Sequence, residues 1–553
     1  LVQDATYESL LKADRRALHA TVAQTLEAAY PARLEEFAAT LADHYERAEN
    51  YSKALEYYIR AGKAAAKLYA NTEAALLFTR AIDLLSRPEA KPATQTVNDL
   101  FSQYGRVLEL SGRFESAIEN YRQMQAEAIR RREKQMEMDA LIAQAIIQAT
   151  PSPVHNNAQA QSLCEQALTI AAALDNQEAE SRIYWILLLV NYFGQNNPKA
   201  VEYGQKSLEI ARAINHRERM AFTLNDIARS YFSVGNFEAA NRAIEEAREL
   251  WQEIGNLPML ADNLTSYAEY ALIIGELDKA AELAQQAYAI SEKINNAWGK
   301  GFSLSIQAQV GWYRGEIARC LQLLAEIRSL EVEKHLPFAA VMSASIRMEV
   351  FAEFGEYDLA QEAVELVNFS SQNNFDAFEG YYEIALAYVA AMRGDIPAVQ
   401  SFFETSQRKN LQINFNTFAP LYFGVAQYTL GMAAGEYQQT AQQLADSIRD
   451  LENARVGLLL PLLRYWRASA LIADGQAESA KSELIPALEQ SQRNSTRIIT
   501  WKILSALADI SPEEESARYR QEAKTTIQFI LDNAPADLRQ SYLNLPRVQK
   551  VMT

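Results

Sequence analysis

The chain has 553 residues, 49% hydrophobic and 22% charged, with a formal net charge of −17; a single core rarely grows past roughly 250–300 residues, so this length demands several domains or an architecture that extends by repetition. The acidic balance argues against non-specific binding to a polyphosphate backbone, and two cysteines are too few for a disulfide framework and fit a reducing, cytoplasmic compartment. The longest apolar runs, 185–190 and 456–463, fall far short of the ~20 residues of a membrane span, and scarce Gly (20) and Pro (15) favour helix.

In chain order, residues 1–30 stand apart from the remainder. The chain opens at Leu1 without Met, in mid-helix sequence, and is expected to be a piece of something longer. Its text runs Gln3-Asp4, Tyr7, Ser9-Leu10-Leu11, then Arg15-Arg16-Ala17-Leu18-His19. It resembles the segment that closes the ATPase module in bacterial multidomain signalling proteins of the STAND type, which include ATPase-linked adenylate/guanylate cyclases and large LuxR-type regulators. Leu41–Ala48 and Tyr51–Leu55 resemble the first helices of that group as well. The resemblance implies an NTPase module joined to this chain in the full-length protein. The nucleotide-binding parts are not in this sequence: Gly299-Lys300-Gly301 has Ile294 where a phosphate-binding loop needs its first Gly.

From residue 31 to 530 the chain repeats. A Gly, a polar residue, a large apolar residue, two spacers and a small residue recur as Gly112-Arg113-Phe114 with Ala117, Gly235-Asn236-Phe237 with Ala240, and Gly275-Glu276-Leu277 with Ala280. The Gly returns at 315, 355, 394, 435 and 475, in steps of 40, 40, 40, 39, 41 and 40 from Gly235; Gly194 lies 41 before it, with a one-residue insertion. The Gly supplies the φ > 0 that ends one helix. Ala240/Ala247, Ala280/Ala287 and Ala480/Ala487, seven apart, share one helix face and let two helices approach closely. A second marker of the same period (Leu174-Asp175, Ile214-Asn215, Ile254-Gly255, Ile294-Asn295) closes the other helix of each unit. This pattern resembles the tetratricopeptide repeat with a lengthened period, and predicts an all-α, right-handed superhelical solenoid of about twelve antiparallel helix pairs between Tyr51 and Ile530. Residues 531–553 form a C-terminal cap. Pro461 is expected in a first helical turn, and Pro486 to kink or shorten its helix.

Catalytic constellations are wanting. The five histidines have no metal-ligand spacing, no nucleophile elbow occurs, and Cys164 and Cys320 occupy small-residue packing slots; the chain is expected to be no enzyme and to need no cofactor. What remains is surface. In tetratricopeptide arrays the concave face comes from the first helix of each unit, here three, six, ten and thirteen residues before the turn Gly. That register selects Phe222, Asn225 and Arg229; Asp262, Thr265 and Glu269; Phe302, Ser305, Gln309 and Trp312; Ser345 and Glu349; and further on Tyr381, Tyr388, Tyr422 and Tyr465. Aromatics beside polar groups of both signs suit capture of a protein or peptide segment. The Lys and Asn pair of chaperone-binding relatives is missing, its positions reading Asn225/Arg229, Thr265/Glu269 and Ser305/Gln309.

The sequence thus reads as the binding and sensing module of a signal-transduction protein, with neither nucleic acid nor membrane as partner. Two alternatives stand beside it: a free-standing scaffold or adaptor, and a peptide-pheromone receptor array.

Overall fold

The computed structural model describes residues 10–68, 70–150, 152–334, 337–371, 380–409 and 418–553. Most of the Gln3–Leu11 stretch lies outside the described residues. These contain twenty-eight α-helices, one short 3-10 turn and no strand. After α1 (Lys12–Ala29) and α2 (Ala38–Arg47), the helices from Tyr51 to Asp532 form twelve pairs. Within each of the chain's two compact units, consecutive helices among these pairs pack on each other through short connections, which makes neighbours antiparallel. The chain is an all-α helical-repeat array of tetratricopeptide type.

The turn chemistry explains the period. In α12 (Phe237–Ile254) the chain arrives through Gly235 at φ 77°, Asn236 accepts a hydrogen bond from the Ala239 N–H as N-cap, and Gly255 at φ 74° ends the helix. Asn176, Asn256 and Asn296 cap α9 (Gln177–Phe193), α13 (Leu257–Ile274) and α15 (Ala297–Arg314) in the same way. The residue before each cap is left-handed: Asp175, Gly255 and Asn295. One expectation changes. Gly194 is right-handed at φ −79°, and Gln195 at φ 61° takes the left-handed position instead. Gln195 lies 40 before Gly235, so the register has no insertion there.

The small residues do the packing expected of them. Ala240, Ala247, Ala280, Ala287, Ala480 and Ala487 are buried, as are Ala228, Ala268, Ala308, Ala387 and Ala468. At Gly105 a Cβ would meet the Tyr121 ring at 2.2 Å. Cys164 and Cys320 are buried, and burial pushes both thiols up, away from the reactive thiolate. Ala280→Leu should therefore lower stability by ~1–3 kcal/mol through overpacking, while Cys320→Ala should change it far less. Denaturant midpoints of the two variants check this, and equal midpoints would overturn the packing assignment.

Pro461 sits in the first turn of α23 (Leu460–Ala473). Pro486 does not shorten its helix: α24 (Ala477–Arg493) runs through it for 17 residues. The ring removes the N–H that would have bonded to Ser482, which is exposed, so water can satisfy the freed carbonyl.

The chain divides into two compact units, Leu1–Gly194 and Gln195–Thr553. The boundary falls between α9 and α10 (Asn197–Ala213) in sequence, where the composition gives no linker signal. In the first unit, Glu27 of α1 accepts hydrogen bonds from Lys53 Nζ at 2.8 Å, Tyr57 OH at 2.5 Å and Tyr45 OH. Burial pushes this carboxyl up, but the three donors prevail and hold it at about 2.

In the second unit the C-terminal helices return to inner helices of earlier pairs. Every helix leaves its last carbonyls without an intrahelical partner, and three successive inner helices have theirs met by distant residues. The Ile273 carbonyl of α13 accepts from the Leu458 N–H at 3.0 Å, and the Arg314 carbonyl of α15 accepts from Arg497 at 3.2 Å. The Glu353 carbonyl of α17 (Pro337–Glu353) accepts from Arg547 at 2.7 Å. The turns are shaped for this docking. A Cβ at Gly315 would meet Ile530 at 2.9 Å, one at Gly355 would meet Leu545 at 3.0 Å, and one at Gly457 would strike the Ile274 carbonyl oxygen at 2.2 Å. Phe354 stacks on Tyr542 with ring centroids 4.4 Å apart.

Candidate functional site

This return frames a lumen within the second unit, open to solvent on part of its surface. Its volume is about 520 Å³, and its walls are the inner helices of six successive pairs. Trp312 and Tyr313 come from α15, Glu349 and Glu353 from α17, and Tyr388 from α19 (Tyr381–Arg393). Tyr428 comes from α21 (Ala419–Ala433), Tyr465 and Trp466 from α23, and Trp501, Lys502 and Asp509 from α25 (Arg497–Ile510). Arg547 and Lys550 of α28 (Pro546–Met552) complete the wall.

Two carboxylates of α17, four residues and so about one helical turn apart, face opposite situations. Glu353 is 3% exposed and ion-paired to Lys502 at 2.8 Å and to Arg547 at 3.4 Å. Burial lowers Lys502, and the Glu353 charge opposes this. Glu349 is 1% exposed, and its partners among the described residues are uncharged. Trp312 Nε1–H donates to one oxygen at 2.9 Å and Tyr422 OH to the other at 3.1 Å. Burial lifts its carboxyl to about 7 against the pull of the two donors. Tyr381, Tyr388 and Tyr422 cluster beside it, with Tyr388 and Tyr422 ring centroids 4.9 Å apart. At the other end, Lys550 pairs with Asp509 at 2.7 Å.

The residues of the concave register do not share one open groove. Trp312 and Glu349 meet in the lumen. Glu269 and Gln309 line a smaller cavity of about 70 Å³, which shares Tyr313 with the lumen; burial raises Glu269 to about 7, with Arg229 opposing and Asp262 adding. Asn225 and Arg229 both donate to Asp262, at 3.1 and 3.3 Å, and Arg229 also donates to Ser266 at 2.8 Å. Thr265 and Ser305 are buried and hydrogen-bond to their own helices at Ala261 and Gly301. Ser345 bonds back to Val341 and to the Tyr381 hydroxyl at 2.9 Å. Phe222 packs edge-on against Trp251 at 4.8 Å, and Phe302 is buried.

The register misses Glu353, Lys502, Trp501 and Arg547. Glu353 lies two residues before its turn Gly, outside the selected positions. The helix containing Lys502 ends at Ser511-Pro512 without a turn Gly to align on.

Residues 219–293 match the tetratricopeptide repeat family. No curated protein sequence matches the chain. Among solved structures it is similar to a signal transduction ATPase with numerous domains carrying a tetratricopeptide repeat sensor, from Pyrococcus horikoshii. That match has 17% identity and a TM-score of 0.37 and covers 55% of this chain and 49% of that one, so the chain spans about half of that protein's length. It is also similar to the apo form of RapI (14% identity, 64% and 97% coverage, TM-score 0.43) and to the APC/C hetero-tetramer Cut9–Hcn1 (15%, 98% and 98%, TM-score 0.47).

Proposed function

We propose that this chain is a ligand-binding sensor and interaction module whose second unit takes its ligand into the lumen. The convergence of six inner helices on one ligand-sized, partly open space carries this reading. Binding pockets run to roughly 300–1,000 Å³, with apolar and aromatic walls and a few placed polar groups, and about 520 Å³ falls in that range. A small molecule or the end of a peptide suits such a space better than a long segment laid along an open groove. The tie between the last helices and three earlier ones supplies a contact that a bound ligand can favour or disfavour; it shifts that balance only by its differential affinity for the two states. The resemblance of the first residues to STAND-type proteins supports an NTPase module in the full-length protein as the receiver of that shift.

The test fills the lumen. Ser505 lines it, and Ser505→Trp should abolish thermal stabilisation by any small molecule or short peptide that stabilises the wild type. Stabilisation that survives in this variant, itself as stable as wild type, would move the binding site elsewhere.

A further inference from the structure

Buried charges in proteins are paired, and among the described residues the lumen obeys this rule at only one of its two deeply buried carboxylates. Glu353 is neutralised by Lys502 and Arg547 from the chain itself. Glu349, on the same helix and more deeply buried, is held by two neutral donors that use one acceptor site on each oxygen. A carboxylate offers about four such sites, so the group retains acceptor capacity, and once it gives up the proton that burial favours, its charge meets no cation among the described residues. The wall around it is aromatic: Trp312, Tyr313 and Tyr388 line the same lumen, and Tyr422 touches the carboxylate. Aromatic faces attract cations, more strongly where water is excluded.

Resting on the lumen as the ligand site, we infer that Glu349 and these aromatics form a receptor for an alkylammonium group, the chain leaving one carboxylate to be neutralised by its ligand. The same chemistry is carried by a small quaternary amine and by a lysine side chain of a peptide end. Trp312 and Tyr422 hold the carboxylate in place, and the charge supplies the selectivity.

The experiment titrates the chain with choline, tetramethylammonium and butylammonium, the last standing in for a lysine side chain. Two neutral controls accompany them: the alcohol in which carbon replaces the nitrogen of choline, and butanol. Quenching of Trp312, Trp466 and Trp501, which line the lumen, reports binding, and calorimetry confirms it. At least one cation should bind about tenfold or more tightly than its neutral counterpart, and Glu349→Gln, which keeps an acceptor but no charge, should erase that difference. The preferred cation separates a quaternary ligand from a lysyl one. Neutral counterparts that bind as well, a preference that persists in Glu349→Gln, or no binding by any of the three cations would overturn the assignment. The lumen-filling Ser505→Trp variant keeps the outcomes apart: binding that lacks charge preference but is lost on filling overturns the cation site and leaves the lumen as a ligand site.

Discussion

Glu353→Ala should destabilise the second unit by about 3 kcal/mol. Removing one partner of a buried pair leaves the other charge uncompensated, which costs roughly 3–5 kcal/mol. Here two cations lose their counter-charge: Lys502, whose side chain is 15% exposed, and Arg547, at 36%. Their residual access to water places the effect at the lower end. The loss is directional, because Glu353 stands where the last helix meets an inner one: Arg547 binds both its carboxylate and its carbonyl. Amide exchange in α25 and α28 should therefore rise more than in α12. A matched removal at the exposed pair Arg242–Glu238 should change stability by no more than about 1 kcal/mol. An unchanged denaturant midpoint and unchanged exchange in Glu353→Ala would mean that the ion cluster does not hold the return in place.

The second large effect is a response to acid of opposite sign in the two units. Glu349 is raised from 4.5 to about 7, so the folded chain keeps a proton that the unfolded chain releases across that interval. Its contribution is fully present below pH 4.5 and lost as pH rises through 7, leaving a penalty of about 3 kcal/mol above it. Glu269, also raised to about 7, adds in the same direction. Glu27 in the first unit is held at about 2, so its contribution is present above 4.5 and lost as pH falls toward 2. Acidification from about pH 8 to 5 should thus stabilise the second unit, and further acidification should weaken the first. Relief of the −17 net charge acts on every variant alike, and Glu349→Gln isolates the specific part. Urea midpoints at both pH values measure it: the glutamine variant should be the more stable at about pH 8 and should lose that advantage at about pH 5. A variant that parallels the wild type at both would remove Glu349 as the source.

Sequence alone determined the repeat, because its determinants are local. A left-handed residue, a cap and a small-residue pair act within a few residues, and the array multiplies them. Even where the letter changed, at Gln195, the 40-residue spacing survived, since Gln can occupy the left-handed position at a modest energy penalty. Sequence also placed Trp312, Glu349 and the tyrosines on the inner helices. It could not tell that Phe222 and Thr265 would serve packing within their own pairs, since inner register and helix interface share positions.

Only the tertiary structure decided that the inner surface closes. The contacts responsible join residues 149 and 194 positions apart, Lys502 and Arg547 with Glu353. In a repeat array each unit is specified by its neighbours, so a return by small per-unit rotations leaves no periodic trace in the sequence. The same closure sets the chemistry of Glu349: its place on a helix face can be read from spacing, but its desolvation depends on Tyr422, delivered to it from 73 residues away.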